Sequence, residues 1–204
     1  MAKIKHTKNE LKAQNEALKR YERFLPMLLL KKQQLQAEIQ RIDTEVSIKT
    51  DEEKNVHSNL ENWIHLFSEA KEIKDIVILK SVKTDEGNIA GVNIPILDRI
   101  DIEQKELDLF KTPTWLDDAQ EVTGKIIQLR IERETLVEQK RLVEEELRTT
   151  SQRVNLFEKV KIPECKENIR VIKIFLGDEQ TAAVARGKLA KKRTEDYQYL
   201  DEAA

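Results

Sequence analysis

Leu11–Val46 reads LKAQNEALKRYERFLPMLLLKKQQLQAEIQRIDTEV. Leu11, Leu18, Leu25, Ile39 and Val46 recur every seven residues, with Lys32 interrupting. Leu28, Leu35, Ile42 and Val56 follow three positions later, with Lys49 interrupting. Apolar residues alternating three and four apart form one stripe on an α-helix, and a stripe held over several heptads specifies a helical partner. No glycine precedes Gly87, and Pro26 is the only proline in that stretch. The helix signal therefore runs from about Asn9 to Lys74.

The second half repeats the pattern. Leu129, Leu136, Val143 and Phe157 share one heptad position, with Thr150 between them. Ile126, Leu147 and Val154 share the other, with Arg133 and Lys140 between them. This helix is expected to begin near Thr114 and to pass Lys188, weakened at Gly177 and Gly187 by up to about 1 kcal/mol each. Helices of about 60–70 residues are each about 100 Å long. The simplest fold is an antiparallel hairpin in which each stripe buries the other. A parallel homodimer satisfies the same periodicity. The charged interruptions Lys32, Lys49, Arg133 and Lys140 limit register and partner choice.

Between the helices the period changes. Asp75–Val82 (DIVILKSV) is β-branched and apolar, and Lys83–Gly91 (KTDEGNIAG) carries turn residues. Val92–Ile102 (VNIPILDRIDI) is again strand-like, with Pro95 confining it to an edge or a bulge. The expected fold class is all-α dominated: a long antiparallel two-helix coiled coil with a small central β-hairpin knob at its far end. Residues 1–74 form the first helix, 75–113 the knob and connection, and 114–204 the second helix with a basic tail. Gly87 and Gly91 have the spacing of a membrane-helix dimer motif, but in so polar a stretch they read as turn glycines.

Composition excludes much else. Charged residues make up 36% of the chain and aromatic ones 5%, as in long-helix proteins. The formal net charge of -2 predicts neither a nucleic-acid nor a membrane partner, and no window approaches the ~18 apolar residues of a membrane span. The start, MAKIKHTKNE, lacks the apolar core of a secretory signal. One cysteine, Cys165, excludes an internal disulfide framework and reads as a half-buried packing residue. His57 and His65 are eight apart without clustered carboxylates or thiols, so they do not read as metal ligands. Trp63 and Phe67 read as packing where helix meets knob. No phosphate loop or nucleophile motif is present.

Charge is unevenly placed. Residues 1–32 hold nine Lys or Arg against three Glu, a balance of +6. Residues 186–193 (RGKLAKKR) hold five bases and no acid, whereas 98–121 hold eight acids against three bases. Antiparallel pairing brings the two basic segments to one end, a positive tip suited to an acidic or neutral sleeve. RGKLAKKR has no interleaved aromatics, which argues against nucleic-acid binding.

Beyond Phe157 the seam changes phase. Ile162, Ile169 and Leu176 share one heptad position, and Cys165 and Ile172 the other. Pro163 lies at the change. An interior proline costs a helix about 3 kcal/mol and kinks or restarts it, which reads as a shape requirement.

Arg153–Ile172 (RVNLFEKVKIPECKENIRVI) resembles the signature of the D subunit of V-type (vacuolar/archaeal-type) rotary ATPases. The matching positions are Arg153, Val154, Asn155, Ile162, Pro163, Asn168 and Ile169, and the acidic-then-basic tail that follows is similar too. Leu28–Leu35 (LLLKKQQL) is similar to a family segment LLKxKRDxL, departing from it at Leu29 and Gln33. These departures resemble a divergent bacterial branch. The resemblance implies a central-stalk rotor whose terminal end enters a head of catalytic and regulatory subunits, A and B. Its other end would join the small F subunit of the central stalk and an adaptor subunit, C or d, above the membrane ring. It implies a non-catalytic chain with no cofactor of its own, ATP binding the head subunits. It also implies a cytoplasmic place, peripheral on the inner face of the cell membrane. Under it, Lys3, Lys5, Lys8, Arg186, Lys188, Lys191, Lys192 and Arg193 become candidate head contacts. Pro26, Arg153, Asn155, Pro163 and Asn168 become candidates for shaping an eccentric shaft. A prefoldin-like chaperone and a structural coiled-coil tether are the alternatives.

Overall fold

The computed structural model describes residues 4–68, 76–107 and 112–202. Helix α1 spans Lys8–Glu61, and a 3-10 helix follows at Ile64–Ser68. Strands β1 (Val77–Ile89) and β2 (Val92–Gln104) form one antiparallel hairpin. Helix α2 spans Trp115–Leu156, a π-helical turn occupies Phe157–Lys161, and α3 spans Ile162–Glu202. The chain divides into two compact units, Leu30–Ser151 and Met1–Leu29 with Gln152–Ala204.

In the unit Leu30–Ser151, α1 and α2 run antiparallel. Ion pairs join Lys31 to Glu146 at 2.6 Å, Asp43 to Lys140 at 2.7 Å and Lys49 to Glu132 at 3.0 Å, so partner numbers fall as α1 advances. Arg133 also reaches Glu53 at 3.2 Å. The parallel dimer is thus not needed to cover the seam, because the chain covers its own. Three of the four charged interruptions, Lys49, Arg133 and Lys140, are half-buried and make these cross-helix pairs. Such pairs contribute about 0.2–1 kcal/mol each, but they penalise a slipped register in which like charges would meet. Their carboxylate partners hold the Lys49 and Lys140 ammonium groups above their ordinary pKa, chiefly through the hydrogen bonds to Glu132 and Asp43.

The first helix is shorter than expected. Heptads predict helix to Lys74, but α1 ends at Glu61 and residues 69–75 lie outside the described ones. Trp63 N–H bonds the Leu60 carbonyl and Leu66 N–H that of Trp63, both at 3.0 Å, so the chain tightens to three-residue bonds. Trp63, Ile64, His65 and Phe67 are weak helix formers, and stacking replaces continuation. Phe67 bridges Trp63 at 5.5 Å and Trp115 at 5.7 Å between centroids, closing this end of the helix pair.

The hairpin differs from the expected knob in two ways. First, Lys83–Gly91 is not a turn. β1 runs to Ile89, and the turn is only Ala90 (φ 50°) and Gly91 (φ 81°), between paired Ile89 and Val92. Two consecutive positive φ values make the tight hairpin turn whose twist matches the strands. Asn88 supports it: its Oδ1 accepts from Gly91 N–H at 3.0 Å, and its Nδ2 donates to Asn93 Oδ1 at 3.0 Å. Gly87 is therefore a strand residue, opposite Ile94 and against the Ile96 side chain.

Second, the hairpin is rooted at the far end but does not stay there. At its root Gln120 Nε2 donates to the Lys105 carbonyl at 3.0 Å and the Ile76 carbonyl at 3.4 Å. Nearer its tip, Gln139 Nε2 donates to the Pro95 carbonyl at 2.6 Å. Ile94 is buried with Leu35, Ile42 and Val143, and Ile89, Ala90 and Val92 pack around them. The ribbon thus lies back along the coiled coil and caps its core as a third layer. A two-stranded hairpin alone is marginal in water, and packing on a helix is one route to stability. Both strands are edges, so Pro95 is tolerated opposite Glu86.

Candidate functional site

The unit formed by Met1–Leu29 and Gln152–Ala204 carries every sequence-derived candidate among the described residues. Its core is the second seam. Val154, Cys165, Ile169 and Ile172 are buried, with Leu11, Leu18, Leu25 and Phe157 half-buried. Tyr21 packs at a tilt against Phe157 with ring centroids 5.0 Å apart, Glu22 pairs with Lys166 at 3.6 Å, and the His6 ring lies 4.8 Å from that of Phe175. The pairing is again antiparallel. Cys165 is buried rather than half-buried, and burial pushes its thiol pKa up, with Glu164 adding to the effect.

The phase change has a direct structural cause. Ile162 N–H donates to the Phe157 carbonyl five residues back, so the turn Phe157–Lys161 holds one residue more than an α-turn. Continuing the α2 heptads past Phe157 would bury Lys161, Glu164 and Asn168. The seam actually follows Ile162, Cys165 and Ile169, each one residue later. Pro163 explains the location. It cannot donate to the carbonyl four residues back, and its ring would crowd it. The widened turn accommodates both, and Glu158 and Lys159 there are exposed to water. Lys161 and Glu164 bracket the step at 3.1 Å, the carboxylate raising the Lys161 pKa. The helix is therefore neither broken nor restarted; it is widened by one residue. Pro26 sits inside α1 without ending it.

The candidates fall in separate places. Pro163 and Asn168 line one cleft with Ile4, Lys5, Glu10, Lys159 and Val160. Arg153 and Asn155 are exposed in the last turn of α2, just before the step. Lys8 and Arg186 line a second cleft with Leu176, Glu179, Gln180 and Ala183. The basic ends thus meet at Lys8 and Arg186, while Lys5 turns back toward the π-turn. Lys188, Lys191, Lys192 and Arg193 are exposed, as is every residue from Gly177 to Thr194. Lys3 lies outside the described residues.

Residues 10–192 match the family model of the ATP synthase D subunit. The chain belongs to that family. It is 50% identical over 191 residues to the V-type ATP synthase D subunit of Borreliella burgdorferi, covering 94% of this chain and 95% of that protein. It is 34% identical over 199 residues to that of Chlamydia muridarum, covering 96% and 98%. It is 32% identical over 195 residues to that of Chlamydia pneumoniae, covering 94% and 93%. The resemblance read from Arg153–Ile172 is thereby borne out along nearly the whole chain.

Among the described residues, no three His, Cys, Asp or Glu side chains gather as metal ligands, and no helix is long and apolar enough to cross a membrane. Sequence reasoning missed Gln120 and Gln139, the side chains that hold the hairpin to α2. Leu142, an apolar residue beside the seam, was the available signal: it packs on the core that the hairpin covers.

Proposed function

We propose that the chain is the central-stalk rotor of a V-type rotary ATPase/ATP synthase, passing torque between the nucleotide-handling head and the membrane ion-translocating ring. The terminal helices would enter a head of A and B subunits. The small F subunit and an adaptor subunit, C or d, would complete the stalk. ATP would bind the head subunits, and this chain would contribute shape and stiffness rather than catalysis, from a cytoplasmic position on the inner face of the membrane. Membership of the D-subunit family supports this reading, and so does the build of the molecule.

The observation that carries it is the one-residue step at Phe157–Lys161. A shaft transmits torque to a near-threefold head only if it is stiff and unlike itself on different sides. Antiparallel pairing with cross-helix ion pairs gives stiffness. The π-turn with Pro163 offsets one helix against its partner, so each head site would meet a different face. The exposed basic segment Arg186–Arg193 is the surface for the head.

The test is removal of one residue from Phe157–Lys161 together with Pro163→Ala, in the purified, membrane-reconstituted complex. The variant chain stays helical, ATP hydrolysis persists, and ATP-driven ion pumping falls. Pumping at the unaltered rate per ATP would refute the role of the step.

A further inference from the structure

Strand β1 has an open edge. Ile89 and Val92 close a two-residue turn, so they form a hydrogen-bonded pair, and bonded and non-bonded pairs alternate from there. The register is unbroken from Ile89 to Thr84, so Asn88, Glu86 and Thr84 aim their N–H and C=O groups away from β2. Pro95 fits this parity: it stands opposite Glu86, has no N–H to give, and turns its carbonyl outward to Gln139 Nε2 at 2.6 Å. The outer edge of β2 is thus met by α2. Among the described residues, no group outside the hairpin hydrogen-bonds the β1 backbone between Val77 and Ile89. That edge is 13 residues long, about twice the usual strand, and a bare edge is a template for another strand. Its acids are unanswered too. Lys80 pairs with Glu103 at 2.8 Å and Arg99 with Asp101 at 2.7 Å, whereas Asp85 and Glu86 make no ion pair among the described residues. The Ser81 hydroxyl, Arg99 and Lys83 together hold the Asp101 carboxyl below its ordinary range, so Lys83 already faces an acid of its own ribbon.

We infer that the outward edge of β1, from Val82 to Asn88, accepts an extended segment of another subunit as a third strand, with Lys or Arg of that segment opposite Asp85 and Glu86. The inference goes beyond the rotor reading, because it needs the chain to sit among other subunits and not to turn. Geometry and charge select the occupant. A helix spends its own backbone bonds internally and cannot answer the groups of Thr84, Glu86 and Asn88. A second copy paired antiparallel about a two-fold axis would set both helix pairs on the same face of the sheet. Strands about 4.8 Å apart would then bring the second helix pair within about 10 Å of the first, into space the first already fills. A second copy paired parallel and in register would set Asp85 and Glu86 beside their own copies, which is destabilising. A lone strand brings no helices to that edge. It continues the sheet at the usual spacing, its main chain supplies the bonds, and its cations neutralise the two acids. Val82, 39% exposed, gives it an apolar neighbour.

Hydrogen exchange at single-residue resolution, on the free chain and on the purified complex, tests this. In the free chain the outward Thr84 and Glu86 amides should exchange fast, and the Asp85 and Gly87 amides, bonded to β2, slowly. On assembly the outward pair should slow by about tenfold or more, as new hydrogen bonds require. A photo-crosslinking amino acid at Val82 should capture an extended segment that carries Lys or Arg. Glu86→Pro removes an outward N–H and no bond to β2, and Pro95 shows that proline fits that pair. Asp85→Lys leaves the backbone alone. Both variants should lose the crosslink while the chain stays in the complex. Unslowed Thr84 and Glu86 amides in a complex that pumps ions overturn the third strand and leave the rotor reading intact. Crosslinks to a second copy or to a helix, or a crosslink yield that Asp85→Lys does not change, also overturn it. Absence of the chain from the complex overturns this inference and the rotor reading together.

Discussion

Ile94→Ala separates a hairpin docked on the coiled coil from a free knob. Ile94 is 4% exposed and shares its core with Leu35, Ile42 and Val143, whereas Ile96, two residues on, is 47% exposed. Truncating isoleucine to alanine removes roughly three carbon groups, about 2.4 kcal/mol at about 0.8 kcal/mol each when buried. The cavity term adds to this, and measured Ile→Ala costs run about 2–5 kcal/mol. The hairpin is a surface layer that can settle into the gap, so the expected loss is about 2–3 kcal/mol. For a domain near 200 residues that lowers the melting temperature by about 5–10 °C. Ile96→Ala should cost about 1 kcal/mol or less by the same area argument. The assay is thermal melting followed by circular dichroism, with hydrogen exchange at Leu35–Val46 to locate the change. Ile94→Ala should melt lower and speed exchange there; Ile96→Ala should do neither to a comparable degree. Equal effects of the two substitutions, or unchanged exchange along α1, would refute the docked hairpin.

Ala90 holds a positive φ of 50°, where a residue with a Cβ is strained by about 1–2 kcal/mol. Asn suits that turn position better, so Ala90→Asn should stabilise by about 0.5–1 kcal/mol in urea unfolding; a lower midpoint would count against the turn. Lys49 and Lys140 have raised pKa values, so their ion pairs contribute fully below the ordinary lysine pKa of about 10.4 and are lost as pH rises through the raised values. Stability measured from neutral to alkaline pH should therefore fall less steeply above pH ~10.4 in the double variant Lys49→Met, Lys140→Met than in the parent chain, and identical slopes would show that the pairs do not act. Replacing Arg186, Lys188, Lys191, Lys192 and Arg193 by Gln should weaken binding of the chain to the head subunits, with a shallower salt dependence because five bases and no acid are lost. Unchanged affinity and salt dependence would exclude the tail as a head contact.

Heptad periodicity carries long-range information when both partners lie in one chain, so the antiparallel pair was legible. Leu35, Ile42 and Val143 are nearly fully buried, and the charged breaks Lys49, Arg133 and Lys140 answer carboxylates across the seam. The hairpin's existence was legible from its β-branched runs, but its docking was not. A two-residue turn at Ala90–Gly91 needs no polar loop, so the polar Lys83–Asn88 misled. Ile94 looks the same in sequence as Ile96, and only the packed structure separates them. The end of α1 was also hidden, because the helical pattern weakens gradually while stacking of Trp63, Phe67 and Trp115 decides the end.

The step at the π-turn is the deepest agreement between sequence and structure, because two independent facts require it. The apolar pattern advances one residue late beyond Phe157, and a π-turn is the way to insert one residue without ending a helix. Pro163 forbids the ordinary α bond at that place. If pattern and proline had disagreed by even one position, either Glu164 or Lys161 would have been forced into the seam. Instead Cys165, Ile169 and Ile172 are buried there and Glu164 pairs with Lys161 at the surface. Only the apolar pattern opposes simple straightening of the helix once the proline is gone. Pro163→Ala alone would therefore leave the π-turn in place, weakened but held by the seam. Removing one residue from Phe157–Lys161 together with Pro163→Ala satisfies both and should give a continuous α-helix with its seam intact. That pair of variants separates the shape of the shaft from its stability: the deletion keeps every buried contact and removes only the offset. If ion pumping survives in it, the offset is not what couples rotation to nucleotide turnover.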